Sequence, residues 1–329
     1  MTPRHVLPTH PPAPETSRPP LHALSGPASL GTFEFGSPAL PTARAYELLD
    51  TYYELGGRLI DTAPTYGPND GGFHAEPLIA HWLRTTGPDG VHVMTKAGLD
   101  PARPHLGDLR PQTILTQARR SAERLGVPFI LVLHRDDPGI GVDEIADAAD
   151  QTVRDGYADR VGASNWTTSR LEQWAVRTDQ TGQAPPEVTA PLWSLARRAA
   201  PPPEPWLIEA DEDHLHLALR HQMTITPYRT LAAGFLTAGH TGRHASHHAT
   251  TYNTPQARAR RDRLVEAATA LRMTPHGLAL AYLHAASRPA GVVPVVGART
   301  VGQLRESMAG AAAAARVTSE LVAYLEGRP

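Results

Sequence analysis

The chain of 329 residues contains no cysteine, which excludes disulfides and thiolate metal sites and leads us to expect a reducing, cytoplasmic setting. No apolar run approaches the ~20 residues of a membrane span, and the N-terminus lacks the continuous apolar stretch of a secretory signal. A basic field is missing as well. Lys and Arg total 31 against 33 Asp and Glu, a formal charge of −2, so nothing in the composition would hold nucleic acid. Lysine is almost absent: Lys96 alone stands among the basic residues, and every other one is arginine. In a composition that favours Arg this strongly, a lysine that remains marks a place needing a compact ammonium. No Gly-x-Gly-x-x-Gly follows the first apolar strand, which counts against a Rossmann domain.

Hydrophobic residues make up 41% of the chain, enough for a sizeable core. Residues 1–27 are rich in Pro and His and show no periodicity, so a flexible arm is expected there. Residues 28–329 then alternate between two patterns. Short apolar runs predict strands at Leu30–Phe33, Leu59–Asp61, Val91–Lys96, Phe129–His134, Arg160–Asn165, Pro186–Trp193, Met223–Tyr228 and Val292–Val295. Between them lie helical periodicities, for example Leu115, Ala118, Ala122 and Leu125 on one stripe. Thr167, Thr274-Pro275 and Thr300 with Gln303 read as helix starts. The acidic run Glu209 to Asp213 reads as the solvated start of another helix. About eight strand–helix units imply a parallel sheet and favour a single α/β domain, a closed (β/α)8 TIM barrel.

In such a barrel the active site lies at the C-terminal ends of the strands. Asp61, Lys96 and His134 each end a predicted strand, Ser164 and Asn165 end another, Tyr228 closes the seventh, and Tyr66 follows Asp61 on the next loop. A carboxylate at a strand end with a phenol just beyond it suggests acid–base chemistry. Each of these residues alone could be structural, but polar groups at successive strand ends converge on one mouth.

These residues carry a resemblance to the aldo-keto reductases over about residues 29–313. It rests on Asp61-Thr62-Ala63-Pro64-Thr65-Tyr66-Gly67, Thr95-Lys96, Leu133-His134 and Gly162-Ala163-Ser164-Asn165. It continues in Gly234-Phe235-Leu236-Thr237 and in Val293-Pro294-Val295-Val296-Gly297-Ala298-Arg299-Thr300. The resemblance implies NADPH bound in an extended form, without a Rossmann fold, and a small-molecule carbonyl substrate reduced to an alcohol. Tyr66 would be the proton donor, with its pKa lowered by Lys96, Asp61 the partner of Lys96, and His134 the residue that orients the substrate oxygen. For the cofactor it implies Ser164 and Asn165 at the carboxamide and Tyr228 stacked on the nicotinamide. Arg299 and the helix opened by Thr300 would face the 2′-phosphate, and Gln303 and Glu306 the adenine. It also implies Thr32, Leu231, Gly234, Gly297 and Ser307 among the contacts. No metal is expected. A dedicated biosynthetic reductase for a keto-sugar or polyketide is a variant of this reading. An NADPH-holding regulatory module with little turnover is the rival one.

The chain departs from the family pattern in places. Ala190 stands where a glutamine usually follows the sixth strand. Arg229-Thr230-Leu231-Ala232 replaces Ser-Pro-Leu-Gly, and Ser307 replaces an Asn. The loop after Tyr66 carries Gly71-Gly72. His240, His244, His247 and His248 cluster in one loop, which reads as a polar lid rather than a metal site.

Overall fold

The computed structural model describes residues 18–67, 74–100, 106–199, 204, 206–237 and 251–328. Gly71-Gly72, the His-rich loop and residues 1–17 lie outside the described residues. Eight strands are present: β1 Ser29–Gly31, β2 Leu59–Asp61, β3 His92–Ala97, β4 Phe129–Leu133, β5 Ala158–Ser164, β6 Pro186–Ala190, β7 Thr224–Ile225 and β8 Val295–Val296. All pair in parallel, in the order β7-β6-β5-β4-β3-β2-β1-β8. The two edges then meet. Ile225 bridges Val292, and Val293 N–H donates to the Ile225 carbonyl at 2.8 Å. The sheet therefore closes as a (β/α)8 barrel.

Period-two alternation decides what each strand sends inward. Leu59, Met94, Ile130, Val132, Val188, Ala190 and Val293 pack with one another as the barrel interior. Their neighbours Ile60, Val93, Leu131, Leu133 and Val161 belong instead to the layer between strands and helices. Around the sheet lie helices α2 Thr42–Glu54, α3 Ala75–Thr86, α4 Pro111–Leu125, α5 Val142–Arg154, α6 Thr168–Thr181 and α7 Glu212–Arg220. They are followed by α8 Pro255–Leu271, α9 Pro275–Ala286, α10 Val301–Ala312 and α11 Ser319–Glu326. The three threonine starts are real caps: Thr167, Thr274 and Thr300 accept from the N–H groups of Arg170, Gly277 and Gln303.

The described part of the expected arm packs against the barrel. A four-residue helix, α1 Leu21–Leu24, plugs the N-terminal ends of the strands. Leu21 is buried in the interior cluster, and His22 N–H donates to Thr224 Oγ1 at 3.2 Å. Arg160 from β5 donates to the Pro19 carbonyl at 2.9 Å. One leucine does this packing, too short a signal for periodicity to register. Prolines shorten three predicted strands. Pro191 follows the last residue of β6, Pro227 lies beyond β7, and Pro294 leaves only two residues to β8, since proline cannot donate to a ladder.

The acidic run also differs from its reading. The helix starts at Glu212, capped by the Asp211 carboxylate, which accepts from His214 N–H at 3.0 Å. Glu209 lies before it and turns toward Arg197 and Arg198, at 3.6 and 3.9 Å. Burial pushes the Glu209 carboxyl above its ordinary value.

Candidate active site

The inward register that buries Leu59, Met94 and Val132 also delivers the chemistry. Asp61 is two residues beyond Leu59, Lys96 two beyond Met94, and His134 two beyond Val132, so all three continue the interior rows into the C-terminal mouth. Apolar layers below them exclude water, and the polar layer sits on top. Lys96 and Asp61 are 5% and 6% exposed. The Lys96 ammonium donates to Asp61 Oδ1 at 2.6 Å and to the Thr62 carbonyl at 2.8 Å. Both partners lie on the one strand end, so the cation is fixed in place. Lys96 and Asp61 form a buried pair in which each holds the other's charge.

Tyr66 arrives on the turn after β2. Its N–H donates to the Ala63 carbonyl at 3.0 Å, and Gly67 N–H donates to Phe33 at 3.2 Å. Gly67 has φ +128°, and a Cβ there would lie 2.8 Å from His74 Cβ, so only glycine lets the turn close behind the phenol. The Lys96 ammonium lies 4.8 Å from the Tyr66 ring centroid. The His134 ring meets Tyr66 edge-on at 6.3 Å, and Phe33 does so at 5.2 Å from the other direction. Asp61, Tyr66, Lys96 and His134 are thus brought together.

Burial raises the Tyr66 phenol above its usual pKa. The Lys96 charge and its hydrogen bond pull it down, and Asp61 pushes it up again. The expected net lowering by Lys96 is therefore corrected: desolvation outweighs it, and the counter-ion Asp61 works against the Lys96 charge. Burial also works against the Lys96 ammonium, but Asp61 and Tyr66 outweigh it and raise its pKa. Burial raises the Asp61 carboxyl against the pull of Lys96. For His134, burial, then Lys96 and then Arg135 hold the imidazole well below its ordinary value. The site therefore presents a protonated phenol, a charged ammonium and a neutral imidazole.

A second group lines the mouth from β5 to β7. Ser164 Oγ donates to the Ala190 carbonyl at 2.8 Å, and Asn165 Nδ2 donates to Ser164 Oγ at 3.0 Å. Asn165 adopts the left-handed conformation, φ +58°. Its Oδ1 accepts from the Tyr228 hydroxyl at 2.5 Å and from Ile208 N–H at 3.4 Å. Ser164, Asn165 and Tyr228 are therefore one hydrogen-bonded unit. After Tyr228 the chain is strained: Arg229, Ala232 and Ala233 all have φ near +50°. Arg229 Nη1 is buried without a hydrogen-bond partner.

The remaining expected contacts divide. Arg299 precedes α10, and its backbone N–H donates to Gln303 Oε1 at 2.9 Å. Its side chain is bound by Glu34. A side chain at Gly297 would meet nothing within 4 Å, so this approach is open. Leu231 and Gly234 lie in the strained turn. Glu306 lies 3.6 Å from His276 Nδ1 on α9. Two of the expected residues bond within the protein. Ser307 is fully buried between α9 and α10, bonded to His276 Nε2 at 2.8 Å. Thr32 is fully buried and spends its hydroxyl on the Asp61 carbonyl at 2.9 Å, which positions Asp61. Sequence reasoning missed Phe33, Glu34, Arg135 and Trp206 at the rim. Only an exposed Phe33 directly after Thr32 offered a signal.

Residues 28–327 match the family model described as the Aldo/keto reductase family. The chain is 23% identical over 304 residues to a "Probable aryl-alcohol dehydrogenase" of Saccharomyces cerevisiae, covering 86% of this chain and 87% of that protein. It is 27% identical over 306 residues to an aldo-keto reductase (ausK) of Aspergillus calidoustus, covering 86% and 72%. The protein of that name in Emericella nidulans is 28% identical over 204 residues, covering 58% and 47%.

Proposed function

The chain belongs to the aldo/keto reductase family, and from that premise we propose that it reduces an aldehyde or ketone to an alcohol with NADPH, using Tyr66 as the proton donor. Family membership makes it a nicotinamide-dependent oxidoreductase. The finer reading is carried by one observation, the buried Asp61–Lys96 pair against the Tyr66 ring with His134 facing it. NADPH would supply hydride to the carbonyl carbon. Everything else falls to the chain.

His134, neutral, donates one N–H to the carbonyl oxygen and fixes it near the phenol. Tyr66 passes its proton to that oxygen as negative charge develops there. The phenolate left behind is stabilised by Lys96 and later takes a proton from solvent. Overall, a carbonyl, NADPH and one proton give an alcohol and NADP+. Burial keeps the phenol protonated but makes it a weaker acid, so the transfer depends on Lys96 stabilising the phenolate as it forms. Asp61 keeps Lys96 in place and charged. Arg is unsuited to that position, because a planar guanidinium cannot occupy the space of an ammonium between a carboxylate and a phenol.

The residues fit a dinucleotide. The Ser164–Asn165–Tyr228 unit offers amide, hydroxyl and ring at one place, Arg229 Nη1 is an orphaned donor suited to a diphosphate, and the space at Gly297 is open. Aryl aldehydes are the first substrates to try, given the aryl-alcohol name of one relative. The test follows NADPH oxidation with benzaldehyde in wild type and Tyr66→Phe. Turnover that disappears in the variant, with cofactor affinity kept, supports the reading. Cofactor binding without turnover on any aldehyde or ketone of a broad panel overturns it in favour of a regulatory module.

A further inference from the structure

We propose that Arg135, stacked under Trp206 at the rim of the mouth, is an anion subsite that selects carbonyl substrates carrying a carboxylate. This rests on the carbonyl-reductase reading above. Arg135 directly follows His134, the residue placed at the substrate oxygen. Its guanidinium carbon lies 3.4 Å from the centroid of the Trp206 ring, so the indole fixes the plane of the cation. Nε and Nη1 are buried, and among the described residues neither has a hydrogen-bond partner.

Arg198 and Arg260 also leave buried nitrogens without a partner, but each is anchored through another one, Arg198 Nη2 donating to the Leu207 carbonyl at 3.0 Å and Arg260 Nη1 to the Leu195 carbonyl at 3.1 Å. Other partly buried arginines are committed to carboxylates: Arg124 to Glu76, Arg160 to Glu187 and Arg170 to Asp136. Asp136, next in sequence to Arg135, is thereby occupied by Arg170 at 2.8 Å. Glu204 lies near enough for its charge to favour the Arg135 cation, yet no ion pair joins them among the described residues, and Glu204 Oε2 is itself without a partner. A guanidinium held in place with buried donors unused is costly unless something else accepts from it.

The clamp is tied to the catalytic mouth. Trp206 stands two residues before Ile208, whose N–H donates to Asn165 Oδ1, the same oxygen that accepts from the Tyr228 hydroxyl. The stacked pair thus bridges the His134 end of β4 and the Asn165–Tyr228 unit. A carbonyl held at Tyr66 and His134 leaves the rest of its molecule pointing at this rim. An anionic group there would accept charge-assisted hydrogen bonds from Arg135. Ring and carboxylate are both served, since Phe33 and Trp206 supply apolar faces. Hydride still goes to the carbonyl carbon and the proton from Tyr66 to its oxygen; the carboxylate is bound but not changed.

The experiment measures kcat/KM with NADPH for 4-carboxybenzaldehyde, its neutral methyl ester methyl 4-formylbenzoate, and benzaldehyde, in the full chain and in Arg135→Gln. NADPH affinity is titrated alongside. The expected result is a preference of about tenfold or more for the carboxylate over the ester in wild type. Arg135→Gln should abolish it through KM. No such preference in wild type, or one that survives in Arg135→Gln, overturns the proposal. A loss of NADPH affinity with carboxylate selection intact assigns Arg135 to the cofactor and overturns it too. If Arg135→Gln does not fold, the wild-type comparison of acid and ester still decides. Turnover of benzaldehyde without carboxylate preference leaves the reductase reading standing, whereas failure on all three aldehydes sinks both.

Discussion

Arg299 is grasped by Glu34, the Nε–H donating to Oε2 at 2.6 Å and Nη2 to Oε1, across the adjoining ends of β1 and β8. This side-on pairing uses the edge of the guanidinium that a phosphate would take. Binding of a 2′-phosphate by Arg299 must therefore exchange one anion for another. The pair is partly exposed, so its worth is at most about 1 kcal/mol. Glu34→Gln should raise NADPH affinity by about two- to fivefold at low salt and leave NADH nearly unchanged. Isothermal titration of both cofactors reads this. Equal affinity of the wild type for NADPH and NADH would remove the NADPH assignment and leave the barrel and its chemistry in place.

Lys96→Arg should disable reduction although the charge is kept. The guanidinium cannot lie 2.6 Å from Asp61 and still leave Tyr66 in place. General acid catalysis is worth ~10²–10⁴-fold, and a loss of that order is expected in single-turnover reduction for Lys96→Arg and for Tyr66→Phe. NADPH affinity should persist in both. Wild-type rates in the two variants would make these residues structural.

The pH dependence follows from two opposite shifts. His134 is held well below 6.5, so it is already neutral at pH 6.5 and above. Tyr66 is raised above 10.0, so it remains a proton donor throughout the neutral range. Reduction of a neutral aldehyde should be flat from about pH 6.5 to 9 and should decline only as alkali removes the phenolic proton. An inflection near 6.5 that vanishes in His134→Asn would show an ordinary, titrating imidazole and contradict the neutral assignment.

The strand ends that bring Asp61, Lys96 and His134 together were legible because two simple signals coincide there: a short apolar run, and a polar residue in step with its inward row. Leu59 to Asp61, Met94 to Lys96 and Val132 to His134 all keep that step. The caps at Thr167, Thr274 and Thr300 are local and were equally legible. What sequence reasoning missed is joined over long separations. Glu34 and Arg299 are 265 residues apart, and Arg135 meets Trp206 from a loop without periodicity. Buried Glu76, which accepts from Thr95 at 2.6 Å and from Arg124 at 2.5 Å, looks like any surface helix acid until three elements are assembled around it.

The same holds for the floor of the barrel, where α1 contributes Leu21 to the interior cluster. Leu21→Ala should cost about 2–4 kcal/mol, read as a lower urea midpoint with the slope unchanged. An unchanged midpoint would mean that the residues before β1 are as dispensable as their composition suggests.

The single lysine gives the chain an unusual susceptibility. An endoprotease that cuts only after lysine has one peptide bond to attack, Lys96–Ala97, and would yield fragments 1–96 and 97–329. That bond lies within β3, with β2 on one side and β4 on the other, Lys96 in register with Val132 and Ala97 with Leu133. Scission requires β3 to leave the sheet, so its rate reports opening of the barrel at the very strand that carries the ammonium. Two gel bands accumulating in time would then read out the stability of the Asp61–Lys96 strand ends, without an enzyme assay.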